Sequence, residues 1–162
     1  MMKKILCALL VSTLAATACA ADTYGYLAFW QNPNDGSDSI QVKTTKENAS
    51  QIEAAAELES FCKGEDALAG VAGGKGTGCQ SVMALNNTCV ALAYPKAAGK
   101  LSPDNAVVIT SPYFKKVHQI ALNQCVKKYG SAGQCALETV YCTDSSYYGG
   151  TVKTIWNRLK SK

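Results

Sequence analysis

The residues of this chain best placed to do chemistry are the six cysteines that follow position 20, in the order Cys62, Cys79, Cys89 and then Cys125, Cys135, Cys142. Thiols at such positions could hold a metal, exchange electrons or close disulfides. Structural zinc sites use closely spaced cysteine or histidine pairs, and thiol exchangers rely on an adjacent, acidified thiol. No Cys-x-x-Cys occurs in the chain. An even count without such a pair points to three disulfides in an oxidising compartment, and no metal or cofactor is expected.

His118 is the single histidine, so any imidazole-dependent nucleophile must use it. A general base needs a nucleophile positioned beside it. No Gly-x-Ser-x-Gly elbow is present, and His118 reads as a boundary residue on a helix flank. The run Gly73-Gly74-Lys75-Gly76-Thr77-Gly78 suggests a phosphate cradle at first sight. Ala69 stands where the first glycine of a P-loop is needed, and Gly76 where Ser or Thr must follow the lysine, so it reads as a flexible return loop. Carboxylates gather at Glu53, Glu57 and Glu59, with Glu65 and Asp66 beyond. Acid/base pairs need two carboxylates held across a cleft in different environments. Glu53 and Glu57 fall instead on one helical face, read as solvated or as a docking patch for a basic partner. No catalytic residue is assigned.

The elements that must position these groups follow from periodicity. Tyr24–Trp30 is aromatic and apolar and enters the turn Asn32-Pro33-Asn34-Asp35-Gly36, so a strand is expected there, with a second over 39–43. Thr44 and Glu47 match a capping box. The run to Cys62 sets Ile52, Ala55, Leu58, Phe61 and Cys62 on one side, an amphipathic helix. A loop is expected over 63–78. Strands follow at 80–85 and 90–94, joined through Asn86-Asn87 with hairpin chemistry. After the turn-rich stretch 95–104, Val107-Val108-Ile109 is a strand. Ser111 and Pro112 start a helix that Gly130 ends, and Cys135 to Cys142 is the last strand.

The second half thus repeats the order helix, cysteine, return loop, cysteine, strand. That duplicated order, with Gly-Cys before a strand and Cys-Val-Ala-Leu-Ala at 89–93, resembles the secreted bacterial proteins of domain-of-unknown-function family 4189 over most of residues 24–143. The resemblance implies export and a shared fold. It brings no established activity and no catalytic residues. The chain differs from the family pattern in its insertion at 63–78 and its basic tail.

Six cysteines permit 15 pairings. Repeat symmetry selects one hypothesis among them: Cys62 with Cys79, Cys125 with Cys135, and Cys89 with Cys142 across the halves. The expected class is α+β, with two duplicated strand/helix/strand units sharing an antiparallel sheet in one two-layer domain with three disulfides.

Residues 1–20 carry Lys3-Lys4, an apolar run from Ile5 to Leu14 and Ala18-Cys19-Ala20, the order of a secretory signal cleaved after Ala20. Ala16-Thr17-Ala18-Cys19 offers the alternative of a lipobox acylated at Cys19, giving a lipid-anchored outer-membrane protein. The expected organisation is a leader at 1–20, a braced domain at 21–144 and a basic tail at 145–162. Loss of Lys3 and Lys4 lowers the formal charge from +4 to +2. Lys153, Arg158, Lys160 and Lys162 all lie in the tail, so the body is near neutral to slightly acidic. That balance lacks the positive field that phosphate backbones select, and nucleic acid is not an expected partner. Val152, Ile155, Trp156 and Leu159 give the tail amphipathic spacing for packing on its own domain, for a partner groove, or for weak contact with anionic lipid.

A small, braced, periplasmic or secreted body suits recognition better than turnover. The leading expectation is an envelope protein that binds a protein partner, within that class an inhibitor or immunity protein neutralising a secreted enzyme or toxin. The alternatives are a small hydrolase of envelope polymers and a structural surface lipoprotein anchored at Cys19.

Overall fold

A computed structural model describes residues 21–36, 40–71 and 76–149. The expected leader at 1–20 and the expected amphipathic stretch at 152–159 lie outside the described residues. The elements are β1 (Tyr24–Trp30), β2 (Gln41–Thr44), α1 (Gln51–Leu68), β3 (Cys79–Asn86), β4 (Cys89–Pro95), β5 (Val107–Ser111), α2 (Phe114–Tyr129) and β6 (Cys135–Cys142), followed by a 3₁₀ turn at Ser145–Tyr148.

The class is α+β and the duplication is complete: β1-β2-α1-β3 is repeated as β4-β5-α2-β6. All strand pairs are antiparallel, and in both units the first strand is central, in the orders β2-β1-β3 and β5-β4-β6. Even the irregularities correspond. The β1–β3 ladder shifts register between Leu27 and Phe29, and the β4–β6 ladder between Leu92 and Ala93.

The expected single shared sheet is therefore two three-stranded sheets. Asn86-Asn87 does not close a hairpin, because β3 pairs with β1 while β4 pairs with β5 and β6. Asn87 takes φ 45°, a left-handed conformation that asparagine tolerates, and its N–H donates to the Thr23 carbonyl at 2.9 Å. The chain then crosses to the second sheet through Thr88, whose carbonyl accepts from the Thr143 N–H at 2.9 Å. Buried Thr23 and Thr143 join their hydroxyls at 2.9 Å at this crossing, so both units are tied where they meet.

Two layers become four. Leu27, Phe29 and Leu85 of the first sheet pack on Val90, Leu92 and Tyr141 of the second. On the outer side of the second sheet, Cys89, Ala91, Ala93, Val140 and Cys142 pack on Val117, Ala121 and Cys125 of α2. Strand β4 is thus covered on both faces. An unbroken apolar run such as Cys-Val-Ala-Leu-Ala, rather than an alternating one, is what burial on both faces requires. Leu27 and Leu92 hold corresponding places in the two units and are fully buried against the facing sheet. Truncating either to Ala costs about 2–5 kcal/mol through lost transfer energy and the cavity left behind.

Local signals moved both helix starts. The capping box is Ser50 with Glu53, not Thr44 with Glu47: the Ser50 hydroxyl accepts from the Glu53 N–H at 3.3 Å, and the Glu53 carboxylate accepts from the Ser50 N–H at 2.9 Å. Thr44 is instead the last residue of β2. Helix α1 also runs on to Leu68, so the first six residues of the expected loop are helical, Gly64 among them. Its sheet-facing side carries Ala54, Leu58, Phe61 and Cys62, while Ile52 is 83% exposed and Ala55 is also exposed. Helix α2 begins at Phe114 rather than Pro112, with the Ser111 hydroxyl accepting from the Tyr113 N–H at 3.2 Å. Gly130, at φ 71°, ends it as expected.

The three disulfides are Cys62–Cys79, Cys89–Cys142 and Cys125–Cys135. The first and third join corresponding positions, a helix residue to the first residue of the strand after it. Cys89–Cys142 does not cross the halves. The boundary between units falls before Cys89, so this bond links neighbouring strands β4 and β6 within the second unit.

Candidate functional site

Duplication allows each place in one unit to be compared with its counterpart. The first helical residues Gln51 and Phe114 correspond, since each stands eleven residues before the disulfide cysteine of its helix. Register aligns Tyr24 with Cys89 and Asn86 with Cys142, because Tyr24 faces Asn86 and Cys89 faces Cys142 across the ladders. Tyr26 then corresponds to Ala91, and Ala84 to Val140.

In the second unit the space between these residues is filled. Helix α2 packs against all three strands of its sheet. After β6 the 3₁₀ turn at Ser145–Tyr148 folds back and buries Tyr148 beside Cys89, Ala91, Val140 and Cys142. The Tyr148 ring meets Phe114 edge-on at 4.8 Å between centroids, and its phenol oxygen accepts from the Cys142 N–H at 2.9 Å.

Among the described residues the first unit has no such filler. The chain leaves Asn86 directly for β4, and α1 packs chiefly on β1. What remains is a groove of about 170 Å³ lined by Tyr24, Gly25, Tyr26, Gln51, Ala84, Leu85 and Asn86. Its floor and wall are the counterparts of the residues that hold Tyr148. Strand β3 is exposed along most of its length, with Val82 45% and Met83 37% accessible. It is also a sheet edge. In antiparallel ladders hydrogen-bonded and non-hydrogen-bonded pairs alternate. The Asn87 N–H bonds Thr23, which makes Tyr24–Asn86 a non-bonded pair and turns the Asn86 N–H away from β1. Cys142 stands in the same register and gives its outward N–H to Tyr148.

The groove is walled by a firmly held α1. Asp66, near its C-terminal end, accepts from the Trp30 indole N–H at 2.8 Å, the Thr77 hydroxyl at 2.6 Å and the Gly78 N–H at 2.9 Å. Burial pushes its carboxyl up, but the bonds from Thr77, Trp30 and Gly78 outweigh it and leave the group below the ordinary carboxylate value. At the other end Glu57 pairs with Lys43 at 2.9 Å and accepts from the Lys46 N–H at 2.7 Å, so it is half-buried and committed rather than part of a solvated face. Burial raises its pKa, and the bonds from Lys43 and Lys46 bring it below the usual value. Glu53 pairs with Lys46 at 3.1 Å, and Glu59 pairs with Lys63.

Of the other singled-out residues, His118 is half-buried, its Nδ1 3.0 Å from the carbonyl of Phe114 in its own helix and its ring beside that of Phe114. Residues 72–75 of the glycine run lie outside the described residues. Among the described residues no three His, Cys, Asp or Glu side chains come together to hold a metal ion, and no helix is long and apolar enough to cross a membrane. Sequence reading missed both Asp66 as a tether and the groove. The alternation Tyr24, Tyr26 was a signal for the latter, since it sets two aromatics on the side of β1 opposite Leu27 and Phe29.

The family model described as Domain of unknown function (DUF4189) matches residues 24–142. The chain belongs to this family. The match to DUF4189 begins at the first residue of β1 and ends at the last of β6, so it spans both units and all three disulfides. No curated protein and no solved structure matches the chain.

Proposed function

We propose that this DUF4189 protein is an exported binding protein of the bacterial cell envelope, recognising a protein partner through the outer face of its first unit. Within that class the reading is an inhibitor or immunity protein that neutralises a secreted enzyme or toxin. One observation carries it: the slot that the second unit fills with Tyr148 is filled by none of the described residues in the first, and it lies beside an exposed strand edge. Recognition by adding a segment to a sheet edge uses main-chain hydrogen bonds for affinity and neighbouring pockets for specificity, and both parts adjoin here. Three disulfides support the reading by fixing the frame in an oxidising compartment, which lowers the ordering cost of association. The order of residues 1–20 supports export.

The test is affinity capture from the native envelope with the mature protein, followed by assay of any captured enzyme with and without one equivalent of it. Loss of that enzyme's activity is the expected result. Turnover of peptidoglycan by the purified protein, or full activity of every captured enzyme in its presence, would replace this reading with the hydrolase or the structural protein.

A further inference from the structure

We infer that the groove between Gln51 of α1 and the outer face of β1 and β3 is a receptor for a tyrosine side chain carried by an extended segment of a partner polypeptide. This rests on the binding reading above and names the chemistry that the site selects.

The second unit shows what a slot of this construction holds. There a tyrosine enters between the first helical residue and the paired first and last strands, stacks its edge on Phe114 and receives the outward N–H of Cys142. In the first unit the corresponding N–H, that of Asn86, has the same outward register, and the groove is floored by Tyr24 and Tyr26. Its volume of about 170 Å³ suits one aromatic ring, since a space of roughly 150 Å³ is enough to bind benzene. Charge argues the same way. None of the lining residues bears a formal charge, and the nearby acids on α1 are already engaged, Glu53 with Lys46 and Glu57 with Lys43. A neutral ring with one polar tip fits such a lining, whereas a charged side chain would be desolvated there without a counterion. The extended form of the segment follows from the adjoining edge of β3, which offers main-chain groups to a strand laid beside it.

The probe is the chain's own filler: a hexapeptide of the sequence at 144–149, acetylated and amidated, added to ¹⁵N-labelled mature protein. Amide shifts are expected at Tyr24, Gln51, Ala84 and Asn86, with at least a tenfold weaker response to the same peptide carrying Ala in place of its second tyrosine. Ala84→Trp should block the groove and weaken binding at least tenfold. Ala84 is exposed, so the variant should keep the wild-type amide spectrum elsewhere; Gln51→Trp is a second block from the helix side. Shifts away from the groove, no shifts, or equal response to both peptides would overturn the inference. A native partner bound equally by wild type and both blocked variants would also overturn it, while leaving the binding function intact.

Discussion

The phenol of Tyr141, on β6, donates to the Lys46 carbonyl at 3.0 Å, and its ring lies directly against Gly25 of β1. A residue of the second unit thus reaches into the strand-to-helix connection of the first, with the Thr45 hydroxyl 3.5 Å from the same oxygen. A Cβ on Gly25 would stand 2.9 Å from Cε1 of Tyr141 and closer still to its hydroxyl, which buried packing does not accommodate. Gly25→Ala should therefore destabilise by about 1–3 kcal/mol, the usual cost of overpacking. Tyr141→Phe, which leaves the Lys46 carbonyl without this donor, should cost about 1–2 kcal/mol. Urea unfolding of both single variants and the double variant checks the link. The double variant should be less destabilised than the sum, because removing the hydroxyl makes room for the methyl. Simple additivity would mean that the two residues do not act on one another.

The same phenol sets an alkaline limit. Burial raises the Tyr141 pKa above its ordinary 10.0; the Thr45 bond opposes this and the charges of Glu47 and Glu57 add to it. A folded-state pKa above the unfolded one means that the contribution is fully present below pH 10 and is lost as pH rises through the folded value. Stability measured from pH 8 upward should fall above pH 10 in wild type and fall less in Tyr141→Phe. Parallel curves would show that other groups carry the alkaline loss.

Asp66 should behave as a tether whose charge matters in acid. Its folded-state pKa is depressed, so its contribution is present above 3.8 and is lost as pH falls through the folded value. Asp66→Ala removes three acceptor contacts and should cost about 1–2 kcal/mol, since the partly exposed site is screened by water. Asp66→Asn should cost less, because Trp30 and Gly78 share a single oxygen that an amide carbonyl can replace. Trp30 fluorescence during acid titration reads the site directly. It should change with Asp66 protonation in wild type and stay flat below pH 4 in Asp66→Asn.

How far the fold was legible depended on whether local chemistry or long-range pairing decided each element. Strand β1 matched its expected span, and β6 ran from Cys135 to Cys142 as read, because aromatic and β-branched runs with turn residues beside them suffice. The Gly130 stop was equally local. The single sheet and the hairpin at Asn86-Asn87 failed because strand partnership is non-local: nothing in those two asparagines says that β3 turns back to β1. The cover on both faces of β4 is written in its unbroken apolar run, but such a run marks a strand without saying what lies on either side of it. The expected buried face of helix α1 is rotated from the observed one because Ile52 is apolar but exposed, while Glu57 is charged but half-buried against Lys43. The candidate groove was the least legible feature. It is defined by the absence, among the described residues, of a filler in the first unit where the second possesses one, and by sequence Tyr148 belongs to the expected tail rather than to a core.

Glu53 offers a residue-level check on the start of α1. Its pKa is lowered from 4.5 to about 2 by the Ser50 N–H, the Ser50 hydroxyl, and the bond and charge of Lys46, against a small burial effect. Its contribution to stability is accordingly present above pH 4.5 and lost as pH falls toward 2. Carboxyl chemical shifts should place its midpoint far below those of typical surface glutamates. Ser50→Ala should bring it back upward, while Thr44→Ala should leave it in place. A glutamate titrating at 4.5 in wild type would mean that the capping box does not form.

The disulfides should rank by the chain they close. Cys89–Cys142 spans 53 residues, Cys62–Cys79 spans 17 and Cys125–Cys135 spans 10. In the chain-entropy model the longest closure contributes about 4 kcal/mol and the two shorter ones about 3 each. Packing widens the gap, because Cys89 and Cys142 are fully buried under α2 beside Tyr148 whereas Cys62 and Cys79 are only half-buried. Paired replacement of Cys89 and Cys142 by Ala should therefore lower the urea midpoint most. Replacing Cys62 and Cys79 should lower it less, and should mainly loosen the return strand held by Asp66, read as faster amide exchange at Gly78 and Gln80. If removing Cys62–Cys79 proved the most damaging of the three, stability would reside in the first unit's helix-to-strand closure rather than in the doubly covered strand β4.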